Sequence, residues 1–408
     1  MSACDYLAFE KRRDIKKTRP SFCCTHEILP QNFNVNFSLR SMKSGNLIRL
    51  MKGLDARLFG AATILNATGL LILYSITSTA DGDTRFWRQL LFIAIGVAAM
   101  FFVRSIDYQK IKGYVPLLYA ATIISLILVL VIGDSIRGTR GWFTIFGFGI
   151  QPVEFAKIIL CIIVAKIVSD QQSKLLSWRA ILLASLLVGL PLTLVLLQPD
   201  TGSAIIIVLL TVGIMYAKGF TRQQFLIGAF AAVLLGTISW TFLLKPYQKE
   251  RIEIFLGIRH DPYGVAYNVD QSIIAIGSGG ITGQGIGRGS QSQLRYLPEA
   301  PTDFIFASAA EELGLIGSLV ALSGFGFLIQ RIFSIASETR DAFSSFLAYG
   351  IGSLFLAHIT INLGAVLGLL PVMGVPLPFM SYGGSFLLTC WILLGILMSI
   401  NRRNHIVY

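Results

Sequence analysis

Leu297-Pro-Glu-Ala-Pro-Thr-Asp-Phe-Ile-Phe-Ala-Ser-Ala-Ala-Glu-Glu-Leu-Gly314 runs straight into Leu315-Ile-Gly-Ser-Leu-Val-Ala-Leu-Ser-Gly-Phe-Gly-Phe-Leu-Ile-Gln330. From Phe304 to Gln330 the stretch is mostly apolar and long enough to cross a bilayer, which takes about 20 residues. It nonetheless carries Glu311 and Glu312, with Asp303 at its edge. A carboxylate at the bilayer centre costs about 2.5–3.5 kcal/mol on insertion scales, so acid placed there points to function. The segment reads as a transmembrane helix with a working carboxylate at one tip.

Nine other stretches are long and apolar enough to span, near 58–76, 87–103, 114–133, 153–169, 180–197, 202–217, 224–244, 345–370 and 379–400. The 408-residue chain is 54% hydrophobic and 14% charged, against about 25% charged in soluble domains. That excludes an ordinary soluble enzyme. It predicts an all-α polytopic membrane protein with about ten transmembrane helices.

Lys and Arg in short loops set orientation. Arg104, Lys110, Lys112, Lys174, Arg179, Lys218, Arg222, Arg331 and Arg340 fall on one side, as do Arg402 and Arg403 at the chain end. The other side has Asp81, Asp83, Arg85, Asp134, Arg137, Arg140 and Asp200. Both termini are therefore expected in the cytoplasm. Between spans seven and eight, residues 245–303 make one long extracytoplasmic loop with six basic and six acidic side chains. Its Tyr247, Phe255, Tyr263, Tyr267 and Tyr296 predict a folded segment rather than a tether.

Half of the net charge of +12 sits in residues 1–54, with ten Lys/Arg against four Asp/Glu. This reads as a basic cytoplasmic extension facing anionic membrane lipids, or as sequence upstream of a start at Met42 or Met51. No motif supports nucleic acid as a partner. Residues 55–408 form the transmembrane domain. Cys4, Cys23, Cys24, Cys161 and Cys390 have neither disulfide nor metal spacing; the vicinal Cys23-Cys24 leaves lipidation or redox chemistry open.

Each polar motif has two readings. Gly277-Ser-Gly-Gly-Ile-Thr-Gly-Gln-Gly-Ile-Gly-Arg-Gly289 is either a close-packed re-entrant turn needing positive φ or a backbone cradle for diphosphate; it lacks the context of a nucleotide loop. Trp142 and Arg140 suit a membrane-interface anchor or a substrate site. Pro152 suits the first turn of a helix, which puts Glu154 and Lys157 on one face as a structural ion pair or a cavity-facing one. Thr302 and Asp303 could be N-cap and first-turn acid, or Asp303 could be a general base tuned by nearby Arg295 and Arg140. Glu311 and Glu312 lie about 12 Å deeper at the helical rise and are expected to partner basic groups. Leu370-Pro-Val-Met-Gly-Val-Pro-Leu-Pro-Phe-Met-Ser-Tyr-Gly-Gly-Ser385 is a tight turn, or a wall of a polar chamber built with Ser381 and Tyr382.

Taken in order, several of these segments resemble the SEDS family (shape, elongation, division and sporulation), its RodA branch more than its FtsW branch. The resemblance starts near Asp55 and rests on Gly138-Thr-Arg-Gly-Trp142, Gln151-Pro-Val-Glu-Phe-Ala-Lys157, Gln198-Pro-Asp-Thr-Gly202, Gln271-Ser-Ile-Ile-Ala-Ile-Gly-Ser-Gly-Gly280, Leu297 to Gly314, and the proline-rich run into Ser381-Tyr-Gly-Gly-Ser385. Pro301 replaces the family's usual His before Thr-Asp, Gly141 departs from Arg-Arg-Trp, Val153 from Gln-Pro-Ser-Glu, and Asn268 from Tyr-Gln.

The resemblance implies a glycosyltransferase of the bacterial cytoplasmic (inner) membrane, active on its outer face. It would polymerise lipid II, the undecaprenyl-diphosphate-linked disaccharide-pentapeptide, onto a growing glycan strand during cell elongation, with inversion at the anomeric carbon. Asp303 would be the catalytic carboxylate. Trp142, Arg140, Glu154, Lys157, Arg295, Gln271 and Ser381 would meet substrate. No cofactor is required outright; a divalent cation, Mg or Mn, is an alternative source of positive charge, with no metal ligands identified. A class B penicillin-binding protein, a single-span transpeptidase, and other elongation-complex membrane proteins are the expected partners. The rival readings are a lipid II flippase without chemistry, an FtsW-like division polymerase, and a silent scaffold.

Overall fold

The computed structural model describes residues 54–78, 83–136, 138–145, 147–173, 175–258 and 264–406. The N-terminal extension up to residue 53, with its three cysteines and both alternative starts, lies outside them. So do Asp81, Arg137 and Lys174 of the charge pattern and Tyr263 of the long loop.

Ten long helices match the ten expected spans: α1 (Ala56–Ser78), α2 (Arg85–Ser105), α3 (Tyr108–Ile132), α4 (Pro152–Ser169), α5 (Trp178–Leu197), α6 (Thr201–Lys218), α7 (Arg222–Ile238), α11 (Ile305–Glu338), α12 (Ala342–Val366) and α13 (Gly384–Ile406). Among the described residues, nine are long and apolar enough to cross a membrane by length and composition. The exception is α4, whose 18 residues carry Glu154, Lys157 and Lys166. The protein is an integral, mainly helical membrane protein.

Polar side chains at the ends set many boundaries. Asp107, Ser177, Asp200 and Asp341 accept from backbone N–H groups one turn into α3, α5, α6 and α12, satisfying donors that a helix start leaves open. Thr221 and Gln224 form a reciprocal capping box on α7. That helix runs on through a π-helical turn, Ser239–Leu243. The last span starts at Gly384, five residues later than the apolar run suggested, because Pro376, Pro378 and the following glycines keep the preceding chain irregular.

Helix α12 packs on α4, α6 and α11, while α13 lies along α2 and α11 along α1. Close approach needs small residues: a Cβ on Gly96 of α2 would stand 2.4 Å from the Trp391 ring of α13. Trp391, Phe355 and Phe379 interlock at this centre, all nearly inaccessible.

Two connections are structured. Between α3 and α4, strands β1 (Asp134–Ile136), β2 (Thr139–Ile145) and β3 (Phe148–Ile150) make an antiparallel sheet in that order, an addition to the all-helical expectation. Between α7 and α11 the long loop holds α8 (Pro246–Phe255), α9 (Val265–Ser278) and the short α10 (Ser290–Gln293). Its described residues carry helices.

Its glycine-rich part packs into a break in α11. Gly314 leaves helical geometry at φ 68°, ψ −163°. The N–H groups of Leu315 and Ile316 donate to the carbonyls of Gly280 and Ile281 at 2.9 and 3.2 Å, and Gln284 and Gly285 donate to the carbonyls of Glu311 and Glu312, both at 3.0 Å. The loop thus completes the hydrogen bonds of the broken helix, as irregular backbone at membrane depth requires. Gly283, at φ +82°, has no room for a side chain: a Cβ would lie 2.1 Å from the Glu312 carbonyl oxygen. Of the two readings of this motif, the close-packed turn accounts for the geometry.

Glu311 and Glu312 were expected to meet basic groups. Instead Glu311 accepts from the N–H groups of Gln291 (2.7 Å) and Ser292 (3.0 Å) and from the Ser292 hydroxyl (2.5 Å). Glu312 accepts from the Ser75 hydroxyl (2.6 Å) and the Gln293 amide (3.1 Å). Neutral donors and backbone dipoles, not cations, offset these buried acids, and they tie the long loop to α11 and α1.

Candidate functional site

A cavity of about 210 Å³ opens where α4, α6, α8, the sheet, the start of α11 and the proline-rich run meet. Trp142, Glu154, Lys157 and Asp303, four of the eight residues expected at the site, line it together. They come from three separate segments of the sequence, so only the fold could bring them together.

Its inner end is charged and buried. Lys157 Nζ donates to Glu154 Oε1 at 2.8 Å, and both residues are almost fully enclosed. Their spacing of three on α4 follows from Pro152 setting the first turn. Lys157 Nζ also lies 3.3 Å from His358 Nε2, on α12. The other ring nitrogen, Nδ1, is 3.1 Å from the Pro376 carbonyl. A carbonyl can only accept, so Nδ1 carries the proton and Nε2 accepts from the ammonium. Glu154 Oε2 is buried and has no hydrogen-bond partner. That oxygen is enclosed by the surrounding protein.

Asp303 is half-buried in the cavity wall. The expected N-cap role does not hold: α11 begins at Ile305, Phe304 takes the cap position, and no side chain caps the helix. Residues 301–304 form a turn instead. Thr302 donates to the Glu299 carboxylate at 3.0 Å rather than capping. The turn is pinned from three sides. Asn362 Nδ2 donates to the Asp303 carbonyl and to the Val375 carbonyl, both at 2.8 Å. Ser381 donates to the Thr302 carbonyl at 2.6 Å and accepts from the Leu377 N–H at 2.8 Å. Tyr382 N–H donates to the Pro301 carbonyl at 2.9 Å. Gly374 leaves the carboxylate clear, since even a Cβ there would stay 3.8 Å from Asp303 Oδ2.

Three expected contact residues lie elsewhere. Arg140 is exposed, and its guanidinium donates to the carbonyls of Gly133 and Val131, both at 3.0 Å. It closes the C-terminus of α3, where unpaired carbonyls attract a cation. Arg295 is exposed at positive φ; its charge reaches Asp83, which the Arg85 hydrogen bond holds below the usual carboxylate range. Gln271 lies on α9, away from the cavity wall. Ser381 is buried just behind the wall and holds Asp303's turn rather than facing the chamber.

Four wall residues were not assigned to the site from the sequence. Arg251, on α8, supplies the cation that Arg140 and Arg295 do not; its Nη1 donates to the Val372 carbonyl at 3.1 Å. Tyr247 stands beside it, its phenol raised by burial and therefore protonated. Asp200 caps α6 and accepts from Gln151 Nε2 at 3.1 Å. His358 was detectable as a lone imidazole in an apolar span, but nothing marked its depth.

No group of three or more His, Cys, Asp or Glu side chains arranged for a metal occurs among the described residues. Asp200 already accepts two hydrogen bonds, one at each oxygen.

Sequence and structure comparisons converge on one group. The profile of the FtsW/RodA/SpoVE family, described as cell cycle proteins, matches residues 55–406. A probable peptidoglycan glycosyltransferase FtsW of Trichlorobacter lovleyi is 38% identical over 83% of this chain and 90% of its own. The peptidoglycan glycosyltransferase MrdB of Escherichia coli is also 38% identical, over 78% of this chain and 85% of its own. Among solved structures, a chain of a peptidoglycan synthase complex that coordinates polymerization and crosslinking superposes with a TM-score of 0.71 at 29% identity, covering 85% of this chain and 98% of that one. The rod shape determining protein RodA of Thermus thermophilus gives 0.63 at 26%, covering 86% and 97%.

Proposed function

Because the chain belongs to the FtsW/RodA/SpoVE family, we propose that its cavity polymerises lipid II into glycan strands at the outer face of the bacterial inner membrane. The chain is a peptidoglycan glycosyltransferase of this family. The observation that carries the lipid II reading is the shared cavity of Asp303, Trp142, Lys157 and Arg251.

In this reading the acceptor sugar hydroxyl gives its proton to the Asp303 carboxylate as its oxygen attacks the anomeric carbon of the donor sugar. The bond from that carbon to the phosphate oxygen breaks, and undecaprenyl diphosphate leaves with the electron pair. Attack opposite the leaving group inverts the centre. Lys157 and Arg251 offset the charge that gathers on the diphosphate. Aligning two lipid-borne substrates supplies much of the remaining acceleration. Magnesium or manganese is proposed only as a counter-ion carried by the diphosphate, and no step is assigned to it; activity in excess chelator tests that.

Two observations bear on rivals. Leu160, Cys161 and Val164, on the turns of α4 that follow Lys157, are apolar and inaccessible, which favours the polymerase reading over a flippase. The FtsW and MrdB relatives are equally similar, so elongation is proposed with a division role as the alternative. A class B penicillin-binding protein and other membrane proteins of the elongation complex are the proposed partners. The test is incubation of the purified chain and its cognate transpeptidase with labelled lipid II in vesicles. Polymer supports the reading; translocation without polymer contradicts it.

A further inference from the structure

Lys157 is held by more than its carboxylate partner. Its ammonium has three N–H donors. One goes to Glu154 Oε1 at 2.8 Å and one to His358 Nε2 at 3.3 Å. The nitrogen also lies 5.5 Å from the Phe386 ring centroid, and the same ring stacks on His358 with centroids 4.5 Å apart. Phe386, His358, Glu154 and Lys157 all border the cavity.

The arrangement is asymmetric in a telling way. Glu154 offers two oxygens, yet only Oε1 is used and Oε2 stands without a partner. A buried lysine facing one carboxylate alone would gain by sharing its protons between both oxygens. The imidazole draws it away from that geometry. It can do so because the Pro376 carbonyl takes the Nδ1 proton, leaving a lone pair on Nε2. Pro376 belongs to the irregular run that also passes Asp303 at Gly374. His358 and Asn362 are one helical turn apart on α12, so a single face of that helix holds the lysine side and the aspartate side of the cavity.

We propose that His358 is a positioning residue: a neutral imidazole, locked by Pro376, that holds the Lys157 ammonium off Glu154 Oε2 and turns its third N–H toward bound substrate. The proposal rests on the lipid II reading, in which Lys157 meets the departing diphosphate. It assigns His358 no contact with substrate. A misplacement of about 1 Å at such a group costs about 10²-fold in rate.

The test compares the full-length chain, with its transpeptidase, as wild type, Lys157→Met, His358→Phe and His358→Gln, in steady-state lipid II polymerisation with thermal melting in parallel. The Gln amide can accept from Lys157 through its oxygen and donate to Pro376 through its nitrogen, so it reproduces both bonds; Phe fills the volume and makes neither. The expected result is a fall of about 10²-fold in kcat/KM for His358→Phe, carried by kcat, with His358→Gln within about tenfold of wild type. Equal losses for Phe and Gln in proportion to lowered melting temperatures would overturn the positioning role. Full activity of His358→Phe beside an inactive Lys157→Met would overturn it too, while leaving the lipid II reading intact. An active Lys157→Met would remove the reading beneath it. A second measurement reads the wild-type ring directly, with His358→Gln serving only to assign it. In wild-type protein labelled with ¹⁵N histidine, the resonances absent from His358→Gln should show an unprotonated Nε2 and a protonated Nδ1. The opposite tautomer, or a doubly protonated ring, contradicts the proposal.

Discussion

The side-chain amide of Asn362 donates to the main-chain carbonyl of Asp303 at 2.8 Å, and to that of Val375 at the same distance. One buried side chain therefore fixes the turn bearing the carboxylate and the run facing it. Asn362→Ala should lower the polymerisation rate by about 10²-fold through misplacement. The lost hydrogen bonds should also cost about 1–3 kcal/mol of stability. Rate and melting temperature measured on the same preparation check both. An unchanged rate in a destabilised protein would show that the turn holds Asp303 without help.

Glu154 and Lys157 are a buried pair, and their variants should be strongly non-additive. Removing either partner leaves an uncompensated charge, which costs about 3–5 kcal/mol. Glu154→Gln and Lys157→Met should each melt well below wild type. The double variant should recover much of the stability and none of the activity. Recovery of activity in the double variant would assign the pair to structure alone.

The cations of the site can be told apart. Arg251 lines the cavity, so Arg251→Gln should lower kcat/KM about 10- to 100-fold if it offsets diphosphate charge. Arg140 closes the end of α3, so Arg140→Gln should cost about 1 kcal/mol of stability and leave kcat/KM close to wild type. Lipid II titrations with both variants decide. The reverse pattern would restore Arg140 to the site.

Two glycines of the same loop should respond differently to alanine. Gly280 and Gly283 both hold positive φ, but only Gly283 faces backbone within contact range. Gly280→Ala should cost about 1–2 kcal/mol for the left-handed conformation alone. Gly283→Ala must also displace the Glu312 carbonyl and should be visibly worse in expression and melting. Equal behaviour would mean that the insertion into the α11 break is not tightly packed.

How far the sequence carried the reading follows from which interactions are local. Spans were legible because hydrocarbon demands long apolar runs, and only α4 blurred the signal by carrying three charges. The Glu154–Lys157 pair was legible because helix periodicity places residues three apart together. Arg140 and Arg295 were misplaced because sequence proximity to a motif does not say where a long side chain turns. The strand pairing of Ser135 with Arg140 sends that guanidinium back over α3. Arg251 and His358 were missed for the opposite reason: each reaches the cavity from a helix remote in sequence, α8 and α12. Asp303 was found by its chemistry, but its turn and the Asn362 clamp depend on contacts 59 residues away.

The central claim is that the Asp303 carboxylate takes the proton of the acceptor hydroxyl. Asp303→Asn keeps size while removing charge and basicity, so it addresses that step most closely. Polymerisation of labelled lipid II by the purified variant with its transpeptidase, normalised to folded protein by melting, is the direct measurement. The account predicts wild-type folding and lipid II binding with no detectable glycan polymer. Polymer at the wild-type rate would contradict it and move the base elsewhere in the cavity.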